Sequence, residues 1–419
     1  MRTRLCVVVG LFVVTLACDG GQGRGERGNA FLAGPGVSDT SIRLGVLTDE
    51  SGPNTAFALA RLRAARVFFE ALNDDGGIDG RRVDLVVADH QFNRDIAVQK
   101  YLAMRESVLM VEHVYPMAFL EDDLSRDEVL ASPVARYSRL AGKRLLVMTG
   151  PSYRDEMANA VDWLAGTLAE PEGTRIAVVA QGDEYGADGL AGIEATARHH
   201  GFELAARVTY QPTDTDFSNQ ATALKDSGAK YVFMATQSRS TGRIVEACAN
   251  IGFLPDFVGG YFSFKPQIIA DSPALKPLFE KHWKTSGPYA HWGEDVPGMK
   301  RMLEAIGRYA PDQNPEPLFV QGWVQAEIVA EILKRADGMN DLTRSGLIKA
   351  LDSMRDVDLG GLSGPLSYGN DHLGQSPSRQ TRIFETSVDD PRYPDMLKPI
   401  TPFSAAAGPP DRATTAPSR

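Results

Sequence analysis

Short apolar runs alternate with amphipathic segments along the first half of the chain. One run covers residues 42–47 and the next covers residues 83–87. Between them, apolar residues recur at helical spacing at Phe57, Ala60, Ala64, Val67 and Phe68. The two glycines that end residues 73–77 stop this helix, because glycine accepts the backbone conformations that a helix end requires. Strand, helix and strand in this order predict a right-handed βαβ unit.

The alternation continues in two series, one up to residue 148 and one from residue 151 onward. In the first series, residues 107–111 predict a third strand, and residues 112–116 predict a turn after it. Repeated strand and helix predict a parallel sheet that is covered by helices on both faces. We therefore expect an α/β protein with two doubly wound parallel-sheet lobes.

The N-terminus has the pattern of an export signal. Arg2 and Arg4 precede an apolar run at residues 5–17, which is too short to span a bilayer. The sequence Thr-Leu-Ala-Cys at 15–18 resembles the box that is cleaved before the lipid-modified cysteine of bacterial lipoproteins, which predicts lipidation of Cys18. Thr15 replaces the leucine that is usual there, so the alternative is an ordinary signal peptide that is cut nearby.

Composition and motifs narrow the classes of function. The formal net charge of −10 argues against a surface for nucleic acid or for anionic membranes. The sequence has no Walker loop, no Gly-x-Ser-x-Gly elbow and no His-Glu-x-x-His motif, so we expect neither an enzyme nor a cofactor or metal site. Cys248 falls on an apolar helix face and predicts a small core residue rather than a reactive thiol.

Two stretches of the first lobe carry a resemblance to a known family. Residues 45–53, GVLTDESGP, and residues 71–89, ALNDDGGIDGRRVDLVVAD, resemble the opening of type I periplasmic solute-binding proteins. The chain is most similar to the leucine/isoleucine/valine-binding protein family of ABC importers, over about residues 41–385. The turn Asn-x-x-Gly-Gly-Ile-x-Gly at 73–80 is the most specific part. This resemblance implies two lobes joined by a three-stranded hinge.

The sequence and the resemblance together predict that the chain is divided into five parts. Residues 18–40 are rich in glycine and polar residues, which suits a flexible tether, and the Pro- and Ala-rich end predicts disorder. The chain crosses between lobes near Gly150, near residues 287–293 and near residues 356–361. The predicted parts are a signal peptide at 1–17, the tether at 18–40, lobe one at 41–150 and 292–356, lobe two at 151–291 and 357–390, and a disordered tail at 391–419.

Candidate ligand-binding residues lie where strands end. In α/β sheets, the loops at the carboxyl ends of strands face the ligand crevice, and one small molecule can be bound by several of them. Each loop alone could be an ordinary turn, so the prediction depends on their joint position and on the resemblance. The candidates are Asp49, Ser51, Tyr115, Arg136, Tyr137, Tyr185, Gln237 and Tyr261.

Three departures from the family pattern bear on the ligand. Residues 112–116 replace the glycine and small hydroxyl residues that hold a ligand carboxylate in the family. Arg136 stands where a threonine helps to hold that carboxylate; it could bind an anion, or form a surface or interlobe salt bridge instead. Tyr261 stands where an acidic residue holds the ligand ammonium in amino-acid binders, and a buried ammonium needs a partner. With Phe262 nearby, we expect an aromatic-rich cleft for something other than a standard branched-chain amino acid.

The resemblance implies an extracytoplasmic solute-binding lipoprotein of an ABC importer. It would capture a small polar or aromatic organic solute (amino-acid-like, amide or carboxylate) by hinge closure. Its partners would be that solute and an ABC permease in the inner membrane, with no nucleic acid and no membrane contact except the lipid anchor. We expect a monomer in the periplasm or at the cell surface. The alternatives are a periplasmic sensor that controls a signalling partner and a periplasmic enzyme.

Overall fold

Two separate sheets, one of four strands and one of seven, form the framework of the protein. The structure is a computed structural model and describes residues 31–114 and 116–406. Strands and helices alternate through most of this chain, which confirms the α/β class that the apolar pattern predicts. Among the described residues, no helix is both long enough and apolar enough to cross a bilayer.

The helices and strands are defined here in chain order. The strands are β1 Leu32–Ala33, β2 Ser41–Thr48, β3 Arg82–Asp89, β4 Val111–Val114, β5 Ala131–Pro133, β6 Arg175–Gln181, β7 Glu203–Tyr210, β8 Tyr231–Ala235, β9 Asp256–Gly259, β10 Trp283–Gly287, β11 Asp341–Leu342, β12 Arg382–Thr386 and β13 Leu397–Pro399. The helices are α1 Thr55–Asp74, α2 Arg94–Met104, α3 Glu121–Arg126, α4 Tyr153–Thr167, α5 Glu184–His199, α6 Ser218–Asp226, α7 Ser238–Asn250, α8 Gln267–Asp271, α9 Lys276–His282, α10 Pro297–Tyr309, α11 Pro317–Gly338 and α12 Arg344–Asp352.

Lobe one is built on the parallel sheet β3-β2-β4-β5. Leu44 and Leu47 of β2 are fully buried on different faces, because neighbouring side chains of a strand alternate between its two sides. Helices α1, α10, α11 and α12 cover one face, and α2 and α3 cover the other. The short pair β1 and β11 joins the start of the described chain to this lobe.

Lobe two is built on a sheet of strand order β13-β12-β10-β9-β8-β6-β7. Strands β6 to β10 are parallel, whereas β12 runs antiparallel to β10 and β13 runs antiparallel to β12. Along β6, Ile176 and Val178 pack on one face and Ala177 and Val179 pack on the other. Cys248 of α7 is fully buried on one of these faces, as the apolar helix pattern predicts.

Two predictions of local structure are wrong. The third strand of lobe one is Val111–Val114 rather than residues 107–111, so Glu112 and His113 lie within a strand and not in a turn. The strand extends further than predicted because the backbone of β4 continues to pair with β2 and β5 beyond Val111, even though its side chains become polar.

The disorder predicted for residues 391–419 is contradicted as far as residue 406. Leu397 is fully buried in β13, and Thr381 and Ser404 exchange two backbone hydrogen bonds of 2.9 and 2.8 Å. The amide of Ala406 donates to Asn159 Oδ1 at 2.6 Å. The segment lacks a long apolar run, and its order comes from pairing at the sheet edge. The rest of the predicted tail lies outside the described residues.

The third crossing between the lobes comes later than residues 356–361. Val357, Leu362 and Leu366 pack in the core cluster of lobe one, and the Tyr368 hydroxyl donates to the carbonyl of Met148 at 2.6 Å. The chain joins lobe two between Tyr368 and β12. The glycines at 360 and 361 suggested a boundary, but they form a turn within lobe one, where both have positive φ.

Candidate functional site

Aromatic side chains from strand ends and crossing segments meet between the lobes. Tyr153, at the start of α4, is central to this group: its ring centroid lies 5.5 Å from that of Tyr137, 4.9 Å from that of Tyr185 and 5.8 Å from that of Phe262. Tyr261 lies 5.5 Å from Phe262. We call Tyr137, Tyr153, Tyr185, Tyr261, Phe262 and Tyr289 the aromatic cluster. The structure thus brings together three of the predicted site residues, Tyr137, Tyr185 and Tyr261.

The cluster combines apolar surface with phenol groups. Edge-to-face packing suits aromatic rings because the positive edge of one ring meets the negative face of the next. The Tyr185 hydroxyl donates to the carbonyl of Thr236 at 3.3 Å, and the Tyr289 hydroxyl pairs with Thr149 Oγ1 at 2.9 Å. Burial raises the pKa of Tyr185 and of Tyr261 well above that of an ordinary tyrosine, so both phenols stay protonated.

Arg136 forms a buried salt bridge between the lobes. Its Nη2 lies 2.6 Å from Glu156 Oε2 in the first part of α4, and both side chains are almost entirely inaccessible, at 0% and 1% exposure. Its Nη1 donates to the carbonyl of Pro151, in the first crossing segment. Burial acts to lower the pKa of Arg136, but the Glu156 carboxylate outweighs it and the pKa is raised. Of the two roles that the sequence allowed for Arg136, the structure assigns the interlobe ion pair.

Glu156 links this ion pair to the aromatic cluster. Its Oε1 accepts a hydrogen bond of 2.7 Å from the backbone amide of Tyr261. The residue before Tyr261 is a glycine for a steric reason: a Cβ atom on Gly260 would lie 2.6 Å from Glu156 Oε1 and 3.2 Å from the sulfur of Met157. The close approach of the backbone is therefore what places Tyr261 beside Glu156.

Asp49 and Ser51 shape the loop before α1. Asp49 is fully buried, and its two carboxylate oxygens accept hydrogen bonds from the amides of Gly52, at 2.6 Å, and Asn54, at 2.8 Å. Ser51 is exposed and donates to Asp89 Oδ2 at 2.6 Å. Both side chains are used to build this loop, and a ligand contact from either stays a prediction.

Gln237 stands at the start of α7. Its carbonyl accepts hydrogen bonds from the amides of Ser240 and Thr241, and its own amide donates to the Tyr210 hydroxyl at 3.3 Å. Its side chain is half-buried and makes no capping hydrogen bond to the helix. The other two predicted functional residues, Tyr115 and Cys18, lie outside the described residues.

Glu112 and His113 are two buried polar residues of β4. Neither carboxylate oxygen of Glu112 and neither ring nitrogen of His113 has a hydrogen-bond partner among the described residues. Burial raises the pKa of Glu112 to about 8. Burial, and to a lesser extent Arg61 and His90, lowers the pKa of His113 to about 3. Both side chains are therefore mainly uncharged at pH 7, although the sequence alone would suggest one negative charge.

Polar contacts close the gap between the lobes around the cluster. The Ser138 amide in lobe one donates to Asp188 Oδ2 in lobe two at 3.0 Å, and Arg139 pairs with Glu184. On another side, Lys265 Nζ lies 3.1 Å from Glu316 Oε1. These contacts join the two lobes on both sides of the aromatic cluster.

Tyr153 and Glu156 were not among the site residues predicted from the sequence. Both lie on a helix that starts directly after the first crossing, where Ser152 accepts a hydrogen bond from the Asp155 amide as the N-cap. This Ser-x-x-Asp signal places the start of α4, and therefore these two residues, next to the hinge. No group of three or more His, Cys, Asp or Glu side chains within residues 31–114 and 116–406 is placed to hold a metal ion.

Comparisons with known proteins agree with this architecture. A family model described as "Periplasmic binding protein" matches residues 41–387. The chain is 21% identical over 338 residues to the Leu/Ile/Val-binding protein homolog 7 of Brucella suis biovar 1 (strain 1330), a match that covers 77% of this chain and 84% of the relative.

Solved structures are similar over nearly the whole chain. A fatty acid ABC transporter substrate-binding protein from Thermomonospora curvata has a TM-score of 0.79 and 25% identity, covering 90% of this chain and 95% of that one. A branched-chain amino acid ABC transporter structure from Thermus thermophilus with bound valine has a TM-score of 0.74 and 16% identity, covering 88% and 98%. These proteins are described by what they bind or transport, in agreement with the prediction that the chain is not an enzyme.

Proposed function

Because this chain belongs to the periplasmic binding protein family, we propose that it is the solute-binding component of an ABC importer. It captures a small organic solute between its two lobes and presents the closed form to a permease in the inner membrane. The observation that carries this proposal is the aromatic cluster, in which Tyr137 of lobe one meets Tyr153 of lobe two at 5.5 Å. A cluster divided between the lobes can surround a solute only when they close.

The chemistry of the cluster favours a solute with an apolar or aromatic part and a few polar atoms. Tyrosine and phenylalanine rings supply large apolar faces, and phenol groups supply hydrogen bonds at their edges. The 25% identical protein that is described as fatty-acid-binding gives support for an apolar part. Relatives at 21% identity are named Leu/Ile/Val-binding protein homologues, and leucine, isoleucine and valine also have apolar side chains. The class is therefore a small amide, carboxylate or amino-acid-like solute.

Hinge closure follows from the connections between the lobes. Three crossings allow the lobes to rotate as units, and a solute that contacts both lobes favours the closed form by its differential affinity. The contacts Ser138–Asp188 and Lys265–Glu316 join the two lobes and support this closure. We further propose that Cys18 is lipidated and keeps the protein close to its permease. Labelling of the full chain with a fatty-acid analogue, lost on Cys18→Ser, tests the anchor.

A thermal-shift screen tests solute capture. A soluble form that begins at Gly20 is heated with amino acids, amides, carboxylates and aromatic acids, and a solute that binds the native state raises the melting temperature. Phe262→Ala removes one ring of the cluster and should weaken binding of the solute found about tenfold. Phe31→Ala, an exposed ring outside the cluster, is the matched control and should change nothing. A panel without any hit, or equal affinity of Phe262→Ala and the parent protein, would contradict the proposal.

A further inference from the structure

The Arg136–Glu156 ion pair is neutral as a unit and is enclosed by protein. The guanidinium lies under the Tyr153 ring, with Cζ 4.9 Å from its centroid, and 5.8 Å from that of Tyr289. Each oxygen of Glu156 already accepts a hydrogen bond, one from Arg136 and one from the Tyr261 amide. Only Nε of Arg136 has no hydrogen-bond partner among the described residues. The pair therefore offers hydrogen-bond donors, first of all the Nε–H group, and no unmatched charge.

This arrangement discriminates between kinds of charged solute. An ammonium group that enters the cluster loses its hydration, and Glu156, which would be its natural partner, is already bound to Arg136. An amino acid also brings a carboxylate, and Arg136 is equally engaged. A carbonyl oxygen, in contrast, needs only a hydrogen-bond donor. The second oxygen of Glu156 is also occupied, because it accepts a hydrogen bond from the amide of Tyr261.

We infer that the Arg136–Glu156 pair is a specificity element that excludes free α-amino acids and selects a solute without an ammonium group. This inference depends on the proposed function, because it concerns the solute captured between the lobes. Glu156 neutralises Arg136 in place of a solute carboxylate, and Arg136 neutralises Glu156 in place of a solute ammonium. The selected solute is consequently an uncharged molecule with a carbonyl group.

Three probes with one carbon skeleton test the inference by titration calorimetry. Leucine carries a positive and a negative charge. 4-Methylpentanoate carries only the negative charge, and 4-methylpentanamide carries none. For the form that begins at Gly20, we expect no binding of leucine. Glu156→Gln keeps an acceptor for the Tyr261 amide but frees the charge of Arg136, so affinity for 4-methylpentanoate should rise at least tenfold. Leucine should stay excluded, because no carboxylate is available for its ammonium.

Glu194→Gln is the matched control. It makes the same change in an ion pair that lies within lobe two, Arg207–Glu194, whose side chains are partly exposed. This variant should bind all three probes as the parent protein does. If Glu156→Gln does not fold, Arg136→Gln serves instead: it frees Glu156 and should gain binding of 3-methylbutylamine.

The outcomes separate the inference from the proposed function. Binding of leucine by the parent protein would overturn the inference and leave solute capture intact. An unchanged affinity for 4-methylpentanoate in a folded Glu156→Gln would also overturn it. If the broad panel gives no hit for the parent protein, the proposed function fails, and the inference fails with it. If neither protein binds anything, both fail.

Discussion

The hydroxyl of Tyr261 in lobe two donates a hydrogen bond to the carbonyl of Pro317 in lobe one. Pro317 is the first residue of α11, the long helix that packs against α1 in the core of lobe one. The same tyrosine uses its amide to bind Glu156. Tyr261 therefore fixes lobe two to lobe one through its side chain while its backbone holds the carboxylate of the buried ion pair.

Tyr261→Phe should weaken the closed state without disturbing the aromatic cluster. The ring is kept and one hydrogen bond between the lobes is lost, which is equivalent to about 1 kcal/mol or roughly a fivefold loss of solute affinity. Small-angle X-ray scattering should show a larger radius of gyration for the solute-free variant. Tyr210→Phe removes a hydroxyl whose partners, Gln181 and the amide of Gln237, both belong to the same lobe, and it should leave the radius unchanged. Equal radii for both variants would argue against this role of Tyr261.

Glu112 should make the protein less stable as the pH rises. Its pKa is about 8 in the folded protein and near 4.5 when unfolded, so the folded state binds more protons between these values. The contribution of Glu112 to the free energy of unfolding should therefore fall from about pH 4.5 to about pH 8 and then level off, whereas His113 opposes this fall below about pH 6.5. Above about pH 7.5, His113 does not alter this slope, because its pKa is about 3 in the folded state and it is deprotonated in both states.

Urea unfolding of Glu112→Gln measures this contribution. The variant has no ionisable group at residue 112, so between pH 6.5 and pH 8.5 it should gain stability relative to the parent protein, by about 2 kcal/mol. Glu172→Gln makes the same replacement at an exposed position and should leave the pH dependence as it was. Parallel pH profiles for the parent protein and Glu112→Gln would show that the carboxyl group is not buried.

Gly260→Ala should destabilise the protein because of one new methyl group. Its Cβ would meet Glu156 Oε1 at 2.6 Å, so either the carboxylate or the backbone of Tyr261 must move. We expect a loss of about 2 kcal/mol in the free energy of unfolding, measured by urea titration. The control is Gly307→Ala in α10, where nothing lies within 4 Å of the new Cβ; it should stabilise the protein by up to about 1 kcal/mol. Similar changes for the two variants would contradict the close contact at Gly260.

Removal of residues 391–406 should cost more stability than removal of residues 407–419. A chain that stops at 390 loses β13, with its buried Leu397, and loses Asp395, whose Oδ2 lies 2.6 Å from His291 Nδ1. We expect a loss of about 3 kcal/mol or more from the buried leucine and the hydrogen bonds together. A chain that stops at 406 keeps all of these contacts and should match the full chain in urea. Equal stability of the two truncated chains would support the original prediction of disorder.

The fold was largely predictable because its signals are local. An apolar run such as residues 42–47 predicts a buried strand, and helical spacing of apolar residues predicts α1, whatever lies elsewhere in the chain. The resemblance to a known family then fixed the two-lobe arrangement, which the comparisons confirm. Edge strand β13 was missed because its order depends on a partner, β12, rather than on its own composition.

The site was only partly predictable because its key contacts are distant in sequence or depend on burial. Arg136 could be recognised as unusual, but its partner Glu156 lies in the other lobe, and no periodic pattern joins them. Glu112 follows an apolar run and would ordinarily mark the start of a turn. Its neutral, buried state becomes evident only once β4 is packed between its neighbours. Tyrosines at strand ends were the exception, since topology alone brings those positions together.

The two ends of the described chain belong to different lobes. Residues 32–33 pair with β11 in lobe one, and Ala406 is fixed to Asn159 of α4 in lobe two. A donor dye at residue 31 and an acceptor dye after residue 406 would therefore travel on separate bodies, and each change in lobe spacing would alter energy transfer between them. Neither dye would touch the aromatic cluster. The topology thus makes the chain suitable as a single-protein optical sensor for whichever solute it captures.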